Sequence, residues 1–288
     1  MTRRILVCLV AVLLPSAAAA QQKPPVREIT QVTGDLYRVR NNNHYTVFYV
    51  TPGGIILADP ISADAAAWLK GELATRFPNA QVRYVIHSHH HQDHASGAAV
   101  FNDTAEIVAH ENFAAAVKAA APQDTRYAAV MPPESTYRDR RTITLGGRRV
   151  ELIHPGRMAH APDFTVLHFP AERAVFVVDY VAVRTVPGSN TLQNGAPIAD
   201  YVNAIRAVEA IDFDIAATGH GPIGKKSDLA DHRQYFERLA ERVAAAIKAG
   251  RTLEELQKAQ IMGEYKGWIE YDEDNDINIA NAYKTLSR

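Results

Sequence analysis

The segment His87-Ser88-His89-His90-His91-Gln92-Asp93-His94 contains the pattern H-x-H-x-D-H, formed by His89, His91, Asp93 and His94. Neutral imidazoles and a carboxylate crowded together are ligands for divalent cations such as Zn²⁺, with Fe or Mn as alternatives. In a chain with 12 histidines among 288 residues, chance yields this pattern on the order of once in a thousand sequences. A histidine-rich tract can also be an expression tag or a loose chelating stretch. A tag sits at a terminus, whereas this tract follows an apolar strand and opens a helix.

The spacing has a direct geometric meaning. Alternate residues of an extended segment point the same way, so His89 and His91 can grip one ion together. Asp93 and His94 come where the chain begins to coil, and they can face a second ion nearby. Four ligands cannot close two sites, so further ligands must come from elsewhere in the chain. Two divalent ions about 3.5–4 Å apart can share a water and generate a nucleophilic hydroxide at neutral pH. Neither a G-x-S-x-G elbow nor a cysteine nucleophile competes with metal-assisted hydrolysis.

The elements that must hold these residues can be read from periodicity. Leu36 to Arg40, Tyr45 to Thr51 and Ile55 to Ala58 are β-branched or aromatic runs separated by turn residues. Ala65, Trp68, Leu69, Leu73 and Phe77 share one helical face that Pro78 ends. The short strand Val82 to Ile86 then runs into the histidine cluster, with a helix starting near His94 and a further strand at Glu106 to Ala109. Thr142 to Leu145 and Val150 to Ile153 flank Gly146-Gly147 as a hairpin. Thr165 to Phe169 and Ala174 to Val178 form another pair, and helical patterning returns over Ile198 to Ile211 and Leu229 to Ile247. Strands and helices in alternation, many strands in hairpins, predict helices on the outer faces of packed sheets. Two loops, Pro122 to Ser135 and Arg184 to Asp200, read either as surface or as walls of a site.

The charge balance is 31 basic against 32 acidic residues, which argues against a nucleic-acid partner bound through a global positive field. Arg3 and Arg4, the apolar Ile5 to Leu14 and Ala18-Ala19-Ala20 read as a secretory signal over residues 1–20, with one domain over residues 21–288. The apolar run is too short to span a bilayer, so no membrane insertion is expected after cleavage, and a periplasmic or secreted location follows. The only cysteine, Cys8, falls inside that leader, so a metal site in the mature chain must use histidine and carboxylate. A small-molecule substrate is the expected partner.

The sequence resembles the metallo-β-lactamase superfamily over nearly all of the mature chain. Five features carry the resemblance in order: the strand hairpin of Asn42 to Asp59 ending in an aspartate, the motif His89 to His94, His160 within Pro155-Gly156-Arg157-Met158-Ala159-His160-Ala161-Pro162-Asp163, Asp179 after an apolar strand, and His220 within Thr218-Gly219-His220-Gly221-Pro222. The resemblance implies an α+β fold, an αββα sandwich of two mixed β-sheets flanked by helices. It also implies that His89, His91 and His160 bind the first of two Zn²⁺ ions, that Asp93, His94 and His220 bind the second, and that Asp179 bridges them. Asp59 would support a ligand histidine. Asp93 would have the additional catalytic task of orienting, or taking a proton from, the hydroxide. Asp rather than Cys at position 179 looks more like the glyoxalase II, lactonase and general hydrolase branches, which define no single substrate.

The implied activity is an exported dinuclear zinc hydrolase acting on a lactam, lactone or ester carbonyl. A mononuclear iron oxygenase of the persulfide dioxygenase type, a phosphoester hydrolase on the same fold and a non-catalytic binder are the alternatives. Tyr180 could donate to an oxyanion, and Arg184 could anchor a substrate carboxylate. His87 reads as packed, His90 as a surface or supporting group, and His44, His110, His154, His168 and His232 as structural histidines. The segment from Tyr271 onward reads as an acidic start followed by a docking helix.

Overall fold

Apolar residues occupy both faces of the early strands, so these strands need cover on both sides. The computed structural model describes residues 23–288; the leader read at residues 1–20 lies outside them. A seven-stranded mixed sheet runs β1 (Arg27–Thr33), β2 (Leu36–Asn41), β3 (His44–Thr51), β4 (Gly54–Ala58), β5 (Val82–Ile86), β6 (Glu106–His110) and β7 (Ser135–Tyr137), in that spatial order. The first four strands pair antiparallel, and β4 to β7 pair parallel. A six-stranded sheet contains β8 (Arg140–Leu145), β9 (Arg148–Ile153), β10 (Val166–Phe169), β11 (Ala174–Val177), β12 (Ile215–Thr218) and β13 (Gly224–Lys225), again in sequence order across the sheet. Within it only β11 and β12 pair parallel.

The period-two alternation sorts side chains between layers. Val47, Tyr49, Ile56 and Ala58 point inward, where they meet Leu152, Leu167, Phe169 and Phe176 of the second sheet. Phe48, Ile55 and Leu57 point outward and pack with Ala66, Leu69 and Leu73 of helix α1 (Ala63–Arg76). Ser62 caps α1 by accepting a hydrogen bond from the Ala65 amide at 3.3 Å. The outer face of the second sheet is covered by α4 (Ile198–Glu209), α5 (Lys226–Lys248), α6 (Leu253–Lys258) and α7 (Tyr271–Leu286), which contribute Tyr201, Leu229, Phe236, Leu256 and Ile279 to one core. Two sheets face to face with helices outside each make the expected αββα sandwich.

The helix read near His94 is a single turn, α2 (Gln92–Ala95), and α3 (Phe113–Ala120) was not evident from periodicity. Strands β7, β12 and β13 are not evident from the sequence either; β7 and β13 have three and two residues, too few to show alternation. The helix expected at the C-terminus is α7, whose Tyr271, Ile279 and Ala282 dock on the core. Among the described residues, no helix is long and apolar enough to cross a membrane.

Candidate metal centre

The carboxyl ends of β5, β11 and β12 converge at one edge of the sandwich, and each delivers polar residues there. Past β5 the chain bends over Ser88, His89 and His90, and at His91 (φ −57, ψ 138) it turns into α2. This puts His89 and His91 on one side, and swings Asp93 and His94 to the other. Gly97 closes the turn by close packing: a Cβ there would lie 2.5 Å from the Pro60 carbonyl oxygen and 2.7 Å from that of Ser62. Asp179 follows β11 in a left-handed conformation (φ 65), a strained state that clusters at functional positions and that Asp tolerates better than most residues. His220 follows β12, and Gly219 lets the loop press against Val178, whose Cγ1 would lie 2.6 Å from a Cβ.

Asp179 is the centre of the arrangement. Its Oδ2 lies 3.1 Å from His89 Nε2, 3.3 Å from His160 Nε2 and 3.9 Å from His91 Nδ1. Its Oδ1 lies 3.2 Å from His220 Nε2 and 3.4 Å from His94 Nε2. One carboxylate therefore faces three imidazoles with one oxygen and two with the other. Asp93 stands beside the second set, its Oδ2 3.8 Å from His94 Nε2. All seven residues proposed as ligands are gathered here. With His44 they form three groups, among the described residues, able to hold an ion: His89, His91, His160 and Asp179; His94, Asp179 and His220; and His44, Asp93 and His220.

The outer hydrogen bonds decide which ring nitrogens carry protons. Buried Asp59 accepts from the Ser88 amide at 2.7 Å through Oδ1, and from Ser88 Oγ at 2.6 Å through Oδ2. The same Oδ2 lies 3.1 Å from His94 Nδ1, so that nitrogen is the donor and His94 Nε2 is turned to Asp179. The Ser88 hydroxyl has spent its only proton on Asp59, so it accepts from His89 Nδ1 at 3.0 Å, leaving His89 Nε2 bare. His220 Nδ1 donates to the Asn43 carbonyl at 3.0 Å, and its Nε2 faces Asp179 Oδ1. His94 Nε2 and His220 Nε2 lie 3.4 Å apart beside that same oxygen. His89 Nε2 and Asp179 Oδ1 are buried without a hydrogen-bond partner. Imidazoles anchored through one ring nitrogen, with the other converging on a carboxylate, fit divalent cations.

The electrostatics divide the ligands. Burial, reinforced by neighbouring histidines, pushes His91 down to about 3 and holds His89 well below the ordinary imidazole range, so both are in the neutral form that a metal requires. Burial alone would also lower His94 and His220, but the Asp179 carboxylate outweighs it and raises both, so they carry protons that a bound cation would displace. Burial alone would raise Asp179, but His94 and the hydrogen bonds from His160 and His220 outweigh it and hold the carboxylate ionised.

Other residues fall where the sequence did not place them. His44, read as a structural histidine, lies 3.2 Å from Asp93 Oδ2 at the start of β3. No motif surrounds it, and only the register of β3 against β2 brings it to the site. His90 is buried and lies 2.8 Å from Asp163 Oδ1, so it is a supporting group rather than a surface one. His87 is packed, stacked on Phe113 with ring centroids 4.8 Å apart. His154 stacks on His110 and faces the Phe164 carbonyl, outside the cavity wall. His168 pairs with Glu151 at 3.0 Å, away from the site.

A cavity of about 640 Å³ opens over the centre, lined by His91, Asp93, His160, Asp179 and His220 on one side. Of the two candidate wall loops, the one beginning at Arg184 supplies Thr185, Val186, Pro187 and Thr191, whereas Pro122 to Ser135 supplies no lining residue. Tyr180 lines the cavity with a buried hydroxyl that has no partner. Arg184 does not line it. In a left-handed conformation (φ 48), its carbonyl accepts from the Ile269 amide at 2.9 Å, and the residue is exposed.

The family model of the metallo-beta-lactamase superfamily matches residues 40–220, a span that contains every candidate ligand. Among solved structures, a metallo-beta-lactamase from Pontibacter korlensis is similar at 18% identity over 74% of this chain and 99% of that one, with a TM-score of 0.62. The DIM-1 metallo-beta-lactamase is similar at 18% identity, over 74% of this chain and 98% of that one, with a TM-score of 0.62. A stereoselective inverting sec-alkylsulfatase, Pisa1 from Pseudomonas sp., is similar at 16% identity over 90% of this chain and 50% of that one, with a TM-score of 0.68. Identities this low speak for the fold alone. No curated protein sequence matches the chain.

Proposed function

The chain belongs to the metallo-beta-lactamase superfamily, and from that premise we propose that it is an exported hydrolase that holds two zinc ions and cleaves a carbonyl-type bond in a lactam, lactone or ester. One observation carries the reading: imidazole nitrogens from three segments of the chain surround the two oxygens of Asp179. His89, His91 and His160 would hold one ion, Asp93, His94 and His220 the other, and Asp179 both. When bound, such ions supply Lewis-acid polarisation of a substrate oxygen and make water nucleophilic at neutral pH.

The protein's own groups do the remaining work. Asp93 opens onto the cavity while His44 holds its Oδ2 from behind at 3.2 Å. Its carboxylate accepts a hydrogen bond from the attacking water, fixes its direction towards the carbonyl carbon, and takes up the proton released by attack. Tyr180 has no protein partner for its hydroxyl, and burial keeps its pKa well above the ordinary phenol range. It therefore remains a donor, directed to negative charge developing on the substrate oxygen. Asp59 and Ser88 keep His94 and His89 from turning. Export is supported by the composition of residues 1–20.

Hydrolysis by zinc-loaded protein of a chromogenic cephalosporin, a simple lactone and an aryl ester tests the reading. At least one should be turned over, and Asp93→Ala should lower that rate by about 10²–10⁴-fold while the fold is retained by circular dichroism. Turnover that persists in Asp93→Ala, or that survives complete chelation, would contradict it.

A further inference from the structure

The cavity wall away from the metal centre has a distinct charge pattern. Ile269, 54% exposed at the mouth, gives it apolar surface backed by buried Val181, Val186, Pro187 and Phe236, and Thr185, Asn190 and Thr191 add neutral polar groups. No lysine or arginine lines it among the described residues. Arg38, Arg126 and Lys226 are held by other parts of the fold. Arg38 stacks over the Tyr45 ring at 3.7 Å and donates to the Thr218 carbonyl at 2.9 Å. Arg126 pairs with Asp124 at 2.6 Å, Lys226 donates to the Ile211 carbonyl, and Arg184 is exposed outside the wall. His232 lines the cavity but is kept neutral by burial, its pKa pushed down to about 4.

The one charged group on this wall outside the metal centre is Glu270. Its backbone is left-handed (φ 62), and although it stands at the N-cap of α7 its side chain caps nothing. Its carboxylate has no hydrogen-bond or ion-pair partner among the described residues. The position is nonetheless fixed on both sides. Ile269 forms a parallel bridge with Thr185, in which the Val186 amide donates to the Ile269 carbonyl at 2.9 Å, and Asp274 bonds back to the Glu270 carbonyl at 3.0 Å. A carboxylate held in a left-handed conformation at the rim of a wall without other charge has the chemistry to receive a cation.

We propose that the site takes substrates with an apolar portion beyond the scissile carbonyl that ends in a cationic group at Glu270, and that it discriminates against a carboxylate there. The inference rests on the hydrolase reading for the position of the scissile carbonyl. It also implies weak action on penicillins and cephalosporins, whose ring carboxylate would find no counter-ion on this wall.

Three p-nitrophenyl esters of matched length test the proposal on the zinc-loaded protein: butanoate, 4-(trimethylammonio)butanoate and the hemisuccinate. The cationic ester should exceed the neutral one in kcat/KM by about fivefold or more, and the neutral one should exceed the anionic one by a similar factor. In Glu270→Gln the cationic-to-neutral ratio should fall close to one. Binding to the chelated protein gives a second readout that needs no turnover. There, 4-phenylbutyltrimethylammonium should bind at least about fivefold more tightly than 5-phenylpentanoate, and Glu270→Gln should weaken the cation by a similar factor. If no ester is cleaved but this binding pattern holds, the hydrolase reading fails and the charge selectivity stands. Equal or tighter binding of the carboxylate, or a cation affinity unchanged in Glu270→Gln, overturns the proposal.

Discussion

At the residue scale, Asp59 accepts from Ser88 and His94, and Asp59→Ala leaves those buried donors unpaired. Metal affinity should drop about 10–100-fold and stability by about 2–4 kcal/mol, read by competition with a chelating dye and by urea unfolding. An aspartate after a strand is ordinary in sequence, whereas the ligands are legible there because their chemistry is local. H-x-H-x-D-H fixes four donors within six positions, and His160, Asp179 and His220 each lie in a short recognisable run. His44, His232 and Glu270 are not legible, because only strand register and loop packing bring them to the cavity. His232 makes a pH prediction. Its imidazole titrates at about 4 when folded against about 6.5 unfolded, so the unfolded chain binds the extra proton between those values. The folded state is therefore favoured fully above about pH 6.5, and loses roughly 2 kcal/mol of this contribution on going down to pH 5. In chelated protein, His232→Leu should flatten that part of the stability profile; an unchanged slope would remove His232 from the account.

At the element scale, strands with clear alternation and helices with an apolar stripe were found close to their observed bounds. The helix read over Ala65 to Phe77 is Ala63–Arg76, and the strand Val82 to Ile86 matches. The short elements escaped because two or three residues show no period, and α2 is one turn set by tertiary contacts: the Ile61 amide donates to the His94 carbonyl at 2.9 Å. That turn depends on Gly97, whose backbone lies against the Pro60 and Ser62 carbonyls without strain in its own φ of −88. Gly97→Ala must push the turn away from that loop. The expected cost is about 1–3 kcal/mol or more, with metal affinity falling because Asp93 and His94 move with it. A variant as stable and as tightly metal-binding as the parent would show that the contact gives way easily.

At the scale of the whole molecule, the sandwich and the metal centre depend on each other. The candidate ligands come from both sheets: His89 to His94 follow β5 of the first, whereas Asp179 and His220 follow β11 and β12 of the second. Ions bound there would tie the two sheets together at one edge and favour the native state alone. At a metal concentration one hundred times Kd the gain is about 2.7 kcal/mol, which raises Tm by roughly 5–10 °C in a domain of this size. Thermal unfolding with and without chelator should show that gap. The most direct test of the central claim is elemental analysis of untagged protein purified without added metal, followed by chelation and zinc restoration during a hydrolysis assay. Two zinc ions per chain, with turnover lost on chelation and regained with zinc, is the predicted result. A single iron per chain, or a protein that takes up no zinc and hydrolyses nothing, would contradict it.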